Sequence, residues 1–202
     1  MAQVYSVNMV GYINLNIPKG FSMIANQLNA TPDNTVATVL ANAPENTTVY
    51  KFTPLPAPAH YVTANFSADN PGWLPANLTM NPGEGVFISV DPNFAPSGFT
   101  ATFVGEVQLV SSTPVINGFS MLSSVIPQST DLDSMGFPSR ENDTVYRFNN
   151  VTSSFFTYNF SVDNPGWAPP LPTPNVGEAF FISGDPQFGN NRTWPRNFSV
   201  GP

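Results

Sequence analysis

The stretch NFSADNPGW, from Asn65 to Trp73, returns as NFSVDNPGW from Asn159 to Trp167, with one difference in nine positions. Three further blocks return in the same order: GFSMI as GFSML, NTTVYKF as NDTVYRF, and GEGVFIS as GEAFFIS. Their first residues are 98 (118 − 20), 96 (142 − 46) and 94 (177 − 83) positions apart. Four collinear blocks at a slowly drifting offset predict a tandem duplication of one complete domain, with small deletions in the loops between blocks.

The local pattern within each copy is that of short β-strands. Side chains from Thr48 to Thr53 alternate between two faces with a period of two, which is typical of a half-buried strand. The 22 Pro and 14 Gly residues divide the chain into short segments, and we expect further strands at residues 21–27, 61–67, 85–90 and 99–104.

One short helical turn is expected in each copy, at residues 35–41 and 131–135, because capping residues precede both segments. The sequence therefore predicts an all-β protein of two tandem homologous domains, each a β-sandwich or a small barrel with one helical turn. The predicted divisions are an N-terminal amphipathic strand (1–17), a first repeat (18–108) and a second repeat (109–202).

Composition excludes several classes of function. Six Lys and Arg against 13 Asp and Glu give a net charge of −7, so the field of the protein repels phosphate backbones and no nucleic-acid partner is expected. The chain contains no Cys, which removes disulfides, thiolate nucleophiles and Cys-ligated metals. Its apolar runs are far shorter than the ~20 residues of a membrane span.

The low proportion of charged residues, 9%, with abundant Asn, Thr and Pro, indicates an exposed extracellular surface. The start at Ala2-Gln3 is typical of a chain from which a signal peptide has been cleaved. We therefore expect an extracellular or cell-surface location.

The segment VYSVNMVGYINL, from Val4 to Leu15, with the later GFSM, TVYKF, NPGEGVFIS and FVGEV, resembles secreted repeat proteins of the Planctomycetes–Verrucomicrobia lineage. The resemblance covers nearly the whole chain. It implies export and a β-rich repeating unit, and it transfers no catalytic residues.

Candidate catalytic and metal-binding residues are few. His60 is the one histidine and has no counterpart in the second copy, so we interpret it as a loop residue rather than a catalyst. The acids retained in both copies could serve a hydrolase or calcium, but in turns such carboxylates usually accept local N–H groups. They are Asp69/Asp163, Glu84/Glu178 and Asp91/Asp185. The sequence predicts no cofactor, with Asp69, Asn70 and Asp91 as weak calcium candidates.

Trp73 and Trp167 end the two duplicated turns. An indole at a loop end can stack on the C–H face of a sugar, but it can equally close the end of a sandwich. The second interpretation is favoured, because each Trp lies in the same turn of its copy. Carbohydrate binding, with cell-surface glycans as possible partners, remains the alternative function, and a hydrolase is the third.

The motif Met9-Val10-Gly11 recurs as Phe103-Val104-Gly105, so the segment before Gly11 imitates the last strand of a domain that is absent. The segment alternates cleanly, with one face made of Tyr5, Val7, Met9, Ile13 and Leu15 and with Gly11 allowing a bend. Such a strand can pair within its own chain or add to the sheet edge of a neighbour. We predict a non-enzymatic structural protein that assembles head to tail with copies of itself, as a filament or surface layer.

Overall fold

The computed structural model describes residues 9–54, 58–69, 72–163 and 166–199, and it confirms two similar β-sandwich-like halves. Each half, called a unit here, consists of a five-stranded sheet and a separate two-stranded ribbon. All the strand pairs are antiparallel, as expected for strands joined by short turns.

Unit 1 begins with β1 (Val10–Ile17), which pairs with β7 (Phe99–Glu106) to form ribbon 1. Sheet 1 contains, in spatial order, β2 (Gly20–Ile24), β6 (Val86–Val90), β3 (Thr48–Thr53), β4 (His60–Ser67) and β5 (Gly72–Leu74). The short helix α1 (Val36–Val39) lies at one end of the core, where both of its valines are buried.

Unit 2 repeats this arrangement. Ribbon 2 pairs β8 (Val110–Val115) with β14 (Arg192–Asn197). Sheet 2 contains, in order, β9 (Gly118–Leu122), β13 (Phe180–Gly184), β10 (Thr144–Asn149), β11 (Ser154–Ser161) and β12 (Gly166–Trp167). The 3₁₀-helix η1 (Pro186–Phe188) follows β13.

The core of unit 1 lies between sheet 1 and ribbon 1. Along β1 the burial alternates, so that Ile13, Leu15 and Ile17 point inward and the even-numbered residues are exposed. Met9 also packs against this core. The predicted alternation of this strand is thus confirmed for residues 9–17, whereas Tyr5 and Val7 lie outside the described residues.

In β3 and β10 the second face is also partly buried, because the second faces of the two sheets pack on one another, whereas β4 and β11 stay largely exposed. Phe52 of unit 1 lies edge-on to Phe181 of unit 2 at 5.3 Å, and Phe148 of unit 2 lies edge-on to Phe87 of unit 1 at the same distance. The two contacts are equivalent under the repeat, and reciprocal contacts of this kind define a pseudo-twofold axis between the units.

Backbone contacts obey the same symmetry. Ala25 N–H donates to the carbonyl of Gly177, and Ser123 N–H donates to that of Gly83, at 2.9 and 3.0 Å. The ends of β2 and β9 are therefore each bonded to a loop of the opposite unit. The two units are therefore joined by an aromatic interface and by backbone hydrogen bonds.

The predicted turn at residues 131–135 is present as a single hydrogen-bonded turn, with Met135 N–H donating to Asp131 O at 3.0 Å. Two details differ from the sequence-based expectations. The short strands β5 and β12 follow the duplicated turns and were not predicted. Residues 10–17, which were set apart as a separate strand, belong to unit 1 through β7.

Candidate functional site

Two clefts lie between the units at positions related by the pseudo-twofold axis. Cleft 1, of about 390 Å³, lies between β8 and the Lys51 and Glu84 side chains of unit 1. Cleft 2, of about 400 Å³, lies between the end of β1 and the Arg147 and Glu178 side chains of unit 2. Each cleft thus has a ribbon strand on one side and an ion pair of the opposite unit on the other.

The ion pairs are equivalent but not identical. Lys51 Nζ lies 2.7 Å from one oxygen of Glu84, whereas Arg147 contacts both oxygens of Glu178 at 2.7 Å. Burial opposes the charge on Arg147, but its hydrogen bonds with Glu178 and the charge of that carboxylate outweigh the burial and raise the Arg147 pKa. Arg147 thus holds Glu178 at two points, whereas Lys51 divides its contacts between Glu84 and the carbonyl and hydroxyl oxygens of Thr79, each at 3.0 Å.

The hydrogen bonds of ribbon 1 leave one row of backbone groups facing away from it. Val107 N–H donates to Met9 O at 2.8 Å, and the bonding direction alternates along an antiparallel pair. Odd-numbered residues of β1 therefore bond to β7, while the backbone groups of Val10, Tyr12, Asn14 and Asn16 point away. We call this row the outer edge of β1. Among the described residues, none donates a backbone hydrogen bond to it or accepts one from it.

The opposite edge of ribbon 1 is covered. Glu106 exchanges two backbone hydrogen bonds with Asn29, at 2.9 and 3.0 Å, and the Asn42 amide donates to the Thr100 carbonyl at 2.8 Å. Of the two edges of this ribbon, the outer edge of β1 is the one that could accept another strand.

Ribbon 2 carries proline at its outward positions. Phe198 N–H donates to Leu109 O at 2.7 Å, so by the same alternation Pro114 of β8 and Pro195 of β14 point away from their partner strands. Proline has no N–H and blocks the addition of a further strand. The pairs Ile17–Phe99 and Val115–Arg192 are equivalent, which places Asn16 and Thr102 of ribbon 1 where ribbon 2 has Pro114 and Pro195. Cleft 1 therefore contains a blocked edge, and cleft 2 an unblocked one.

The interpretation of the duplicated tryptophans as sugar-stacking residues is corrected by their burial. Trp73 and Trp167 are each 4% exposed. Trp73 Nε1 donates to the Leu40 carbonyl at 3.1 Å, and the two rings pack edge-on against Phe66 and Phe160. Both indoles close the ends of their cores and have no face free for a sugar.

The retained acids mostly accept local N–H groups. Asp91 accepts from the Asn93 backbone at 2.8 Å and Asp185 from that of Gln187 at 2.9 Å. Glu84 and Glu178 accept the N–H of the residue three positions earlier, in addition to their ion pairs.

The calcium candidates do not form a site in the described part of the chain. Asp91 already accepts N–H groups at both oxygens, the second from Asn46 at 3.3 Å, and Asp69 is exposed. Asn70 lies outside the described residues, among which no group of three or more His, Asp or Glu side chains is placed to hold a metal ion. His60 is exposed at the start of β4, where Nδ1 contacts the Pro58 carbonyl at 3.2 Å.

Of the residues that line cleft 2, Glu178 and Leu15 are among the candidates identified from the sequence, whereas Arg147 and Phe156 are not. One signal was available: Lys51 and Arg147 are retained as cations opposite the retained acids Glu84 and Glu178, which predicts an ion pair. Another was the asymmetry between Asn16 and Pro114 at equivalent positions. A third residue, Phe156, had no signal, because its equivalent in unit 1 is Val62.

No protein-family model, no curated protein and no solved structure matches this chain. Within the described residues, no helix is both long and apolar enough to cross a membrane.

Proposed function

We propose that this chain is a non-enzymatic extracellular structural protein whose copies assemble by strand addition, as the subunit of a filament or surface layer. The observation that supports this proposal best is the outer edge of β1. It runs along an eight-residue strand without proline or charge, and natural proteins usually protect such edges. An edge strand of this kind pairs readily with another chain through its backbone groups.

The other sheet edges of the described structure are shorter or covered. β5 and β12 pair only with the ends of β4 and β11, so residues 60–64 and 154–158 keep an unpaired side, about five residues long in each strand against the eight residues of β1. β2 and β9 are bonded at their ends to the opposite unit, and ribbon 2 carries its two prolines. The outer edge of β1 therefore stands out as the site of assembly.

Replacing Asn16 with proline should abolish assembly without unfolding the chain. The Asn16 N–H has no backbone partner among the described residues, and the equivalent strand of unit 2 already accommodates Pro114, so the fold tolerates the ring. Light scattering and negative-stain microscopy should show polymers for the native chain and monomers for Asn16→Pro.

The matched control is Thr102→Pro, which places a proline on the covered side of the same ribbon, as Pro195 does in unit 2. Each variant removes one Asn–Thr side-chain hydrogen bond of 2.8 Å across the ribbon. Thr102→Pro should assemble like the native chain. A native chain that stays monomeric at every concentration, or equal loss of assembly in both variants, would refute the role of this edge.

Carbohydrate binding is the second candidate, now at cleft 2. Phe156 is 54% exposed and lies directly across the strand pair from Arg147. The amides of Asn149, Asn150 and Asn175 line the same cleft. An exposed aromatic face beside amide and charged groups can stack on a sugar ring and bond its hydroxyl groups.

A glycan array separates this candidate from the first. Binding that is lost in Phe156→Ala and retained in Val62→Ala, the equivalent change in unit 1, supports a sugar site in cleft 2. Absence of binding to any glycan by the native chain excludes it.

A further inference from the structure

We infer that the strand accepted by the outer edge of β1 is the segment Gln3–Asn8 of a second copy of this chain, which adds antiparallel along cleft 2. This inference rests on the proposed function, because it names the partner of the same edge. The donor is the N-terminal segment of one copy, and the acceptor is the outer edge of β1 of another.

The first argument concerns what β1 binds already. On its inner side β1 pairs with β7 over eight positions. The repeated motif aligns Met9-Val10-Gly11 with Phe103-Val104-Gly105, an offset of 94 (103 − 9). Residues 3–9 therefore align with residues 97–103, which include most of β7. A segment with the residue pattern of β7 is the natural partner for a second edge of β1.

The alignment also predicts the register. In ribbon 1 the Thr100 hydroxyl donates to the Asn16 side chain, and the Thr102 hydroxyl donates to that of Asn14, each at 2.8 Å. Ser6 and Asn8 align with Thr100 and Thr102. In the added strand they would lie opposite Asn16 and Asn14 of the accepting copy, on the same exposed face, where polar cross-strand pairs can form again.

Charge does not oppose the contact. The chain has a net charge of −7, yet neither residues 2–9 nor β1 contains a charged side chain. Two copies can therefore meet along these strands without direct repulsion between like charges.

The contact is heterologous, since donor and acceptor are different segments. Cleft 1 cannot serve as a second acceptor because Pro114 removes the N–H at the position of Asn16. Each chain then offers one donor and one acceptor, and the product is a head-to-tail row of subunits.

The test uses a labelled synthetic peptide of residues 2–9, AQVYSVNM, added to the full chain. It should bind the native chain and Thr102→Pro, fail to bind Asn16→Pro, and shorten preformed polymers by occupying their free acceptor ends. A scrambled peptide of the same composition is the control. Fluorescence anisotropy reports binding, and light scattering reports polymer length.

The absence of cysteine in the chain allows a second measurement. Asn8→Cys protein mixed with Asn14→Cys protein should form an intermolecular disulfide, while neither variant should cross-link alone. Asn8→Cys mixed with Thr102→Cys should not, because Thr102 lies one strand further away.

The outcomes distinguish this inference from the proposed function. The inference is overturned if polymers persist in Asn16→Pro. It is also overturned if the peptide does not change polymer length and no mixed disulfide forms. In both cases the chain still self-assembles, but not through this contact. A native chain that is monomeric but binds the peptide in an Asn16-dependent way refutes the structural role and overturns the inference as well, because the edge then binds the free peptide and not a second copy. A monomer that does not bind the peptide overturns both.

Discussion

At the scale of single residues, the two units differ most in one buried ion pair. Asp143 is fully buried and accepts a hydrogen bond from Arg192, whose side chain is 5% exposed. Unit 1 has Thr47 and Phe99 at the equivalent positions, and the Thr47 hydroxyl donates to the Pro44 carbonyl at 2.7 Å. The same fold therefore forms with a charged pair in one copy and with a hydroxyl and an aromatic ring in the other.

This difference predicts strong coupling between two substitutions. Arg192→Phe alone leaves Asp143 buried without its partner and should lower the free energy of unfolding by about 3–5 kcal/mol. Adding Asp143→Thr should recover most of that loss, to within about 1 kcal/mol, because an apolar replacement of a buried ion pair is often neutral. Urea denaturation of the two single variants and the double variant measures the coupling, and additive losses would contradict it.

The same pair should give a pH signature. Burial raises the pKa of Asp143, although the hydrogen bond and charge of Arg192 act in the opposite direction. A carboxyl group whose pKa is higher in the folded state contributes stability below its unfolded pKa and loses that contribution as the pH rises through its folded pKa. As the pH is raised between those two pKa values, the free energy of unfolding of the native chain should fall relative to that of the Asp143→Thr/Arg192→Phe variant.

At the scale of elements, ribbon 1 depends on a close approach to the loop that covers it. A Cβ on Gly105 would lie 2.4 Å from the Asn29 carbonyl oxygen and 2.8 Å from the Ala30 nitrogen, both of them backbone atoms. Gly105→Ala should therefore cost about 1–3 kcal/mol of stability. Its cross-strand partner Gly11 is the control, since a Cβ there meets the movable side chain of Leu28. Thermal denaturation should show the larger loss for Gly105→Ala.

The strands were largely predictable from the sequence, while the pairing of their edges was not. Periodicity in segments such as Thr48–Thr53 and Gly85–Val90 predicted β3 and β6, because a period of two is a local property of the chain. β5 was not predictable, because its three residues are too few to show any period. Which edge of β1 is bonded depends on β7, nearly 90 residues away, and no local pattern contains that information.

At the scale of the whole molecule, the shared aromatic face explains why both sides of the sheets are apolar. The repeat predicted two domains, but alternation alone could not show that the other unit covers part of the second face of each sheet, over β3 and β10. Phe21 and its equivalent Phe119 lie at the rim of this interface and remain 47% and 49% exposed. The clefts arise where the two units diverge from this contact.

In the proposed assembly, the placement of Pro114 would limit how subunits connect, in a way described by polymer chemistry. A subunit with one donor and one acceptor is an AB monomer, which can grow only into unbranched chains. A true dimer of identical units would carry the same residue in both clefts, so duplication within one chain is what allows one cleft to be blocked and the other left free. Pro114→Asn, which restores the residue of unit 1, should create an AB₂ monomer. Microscopy should then show branched, tree-like assemblies in place of separate filaments, and rheology should show no gel, because one donor per subunit cannot cross-link the branches into a network.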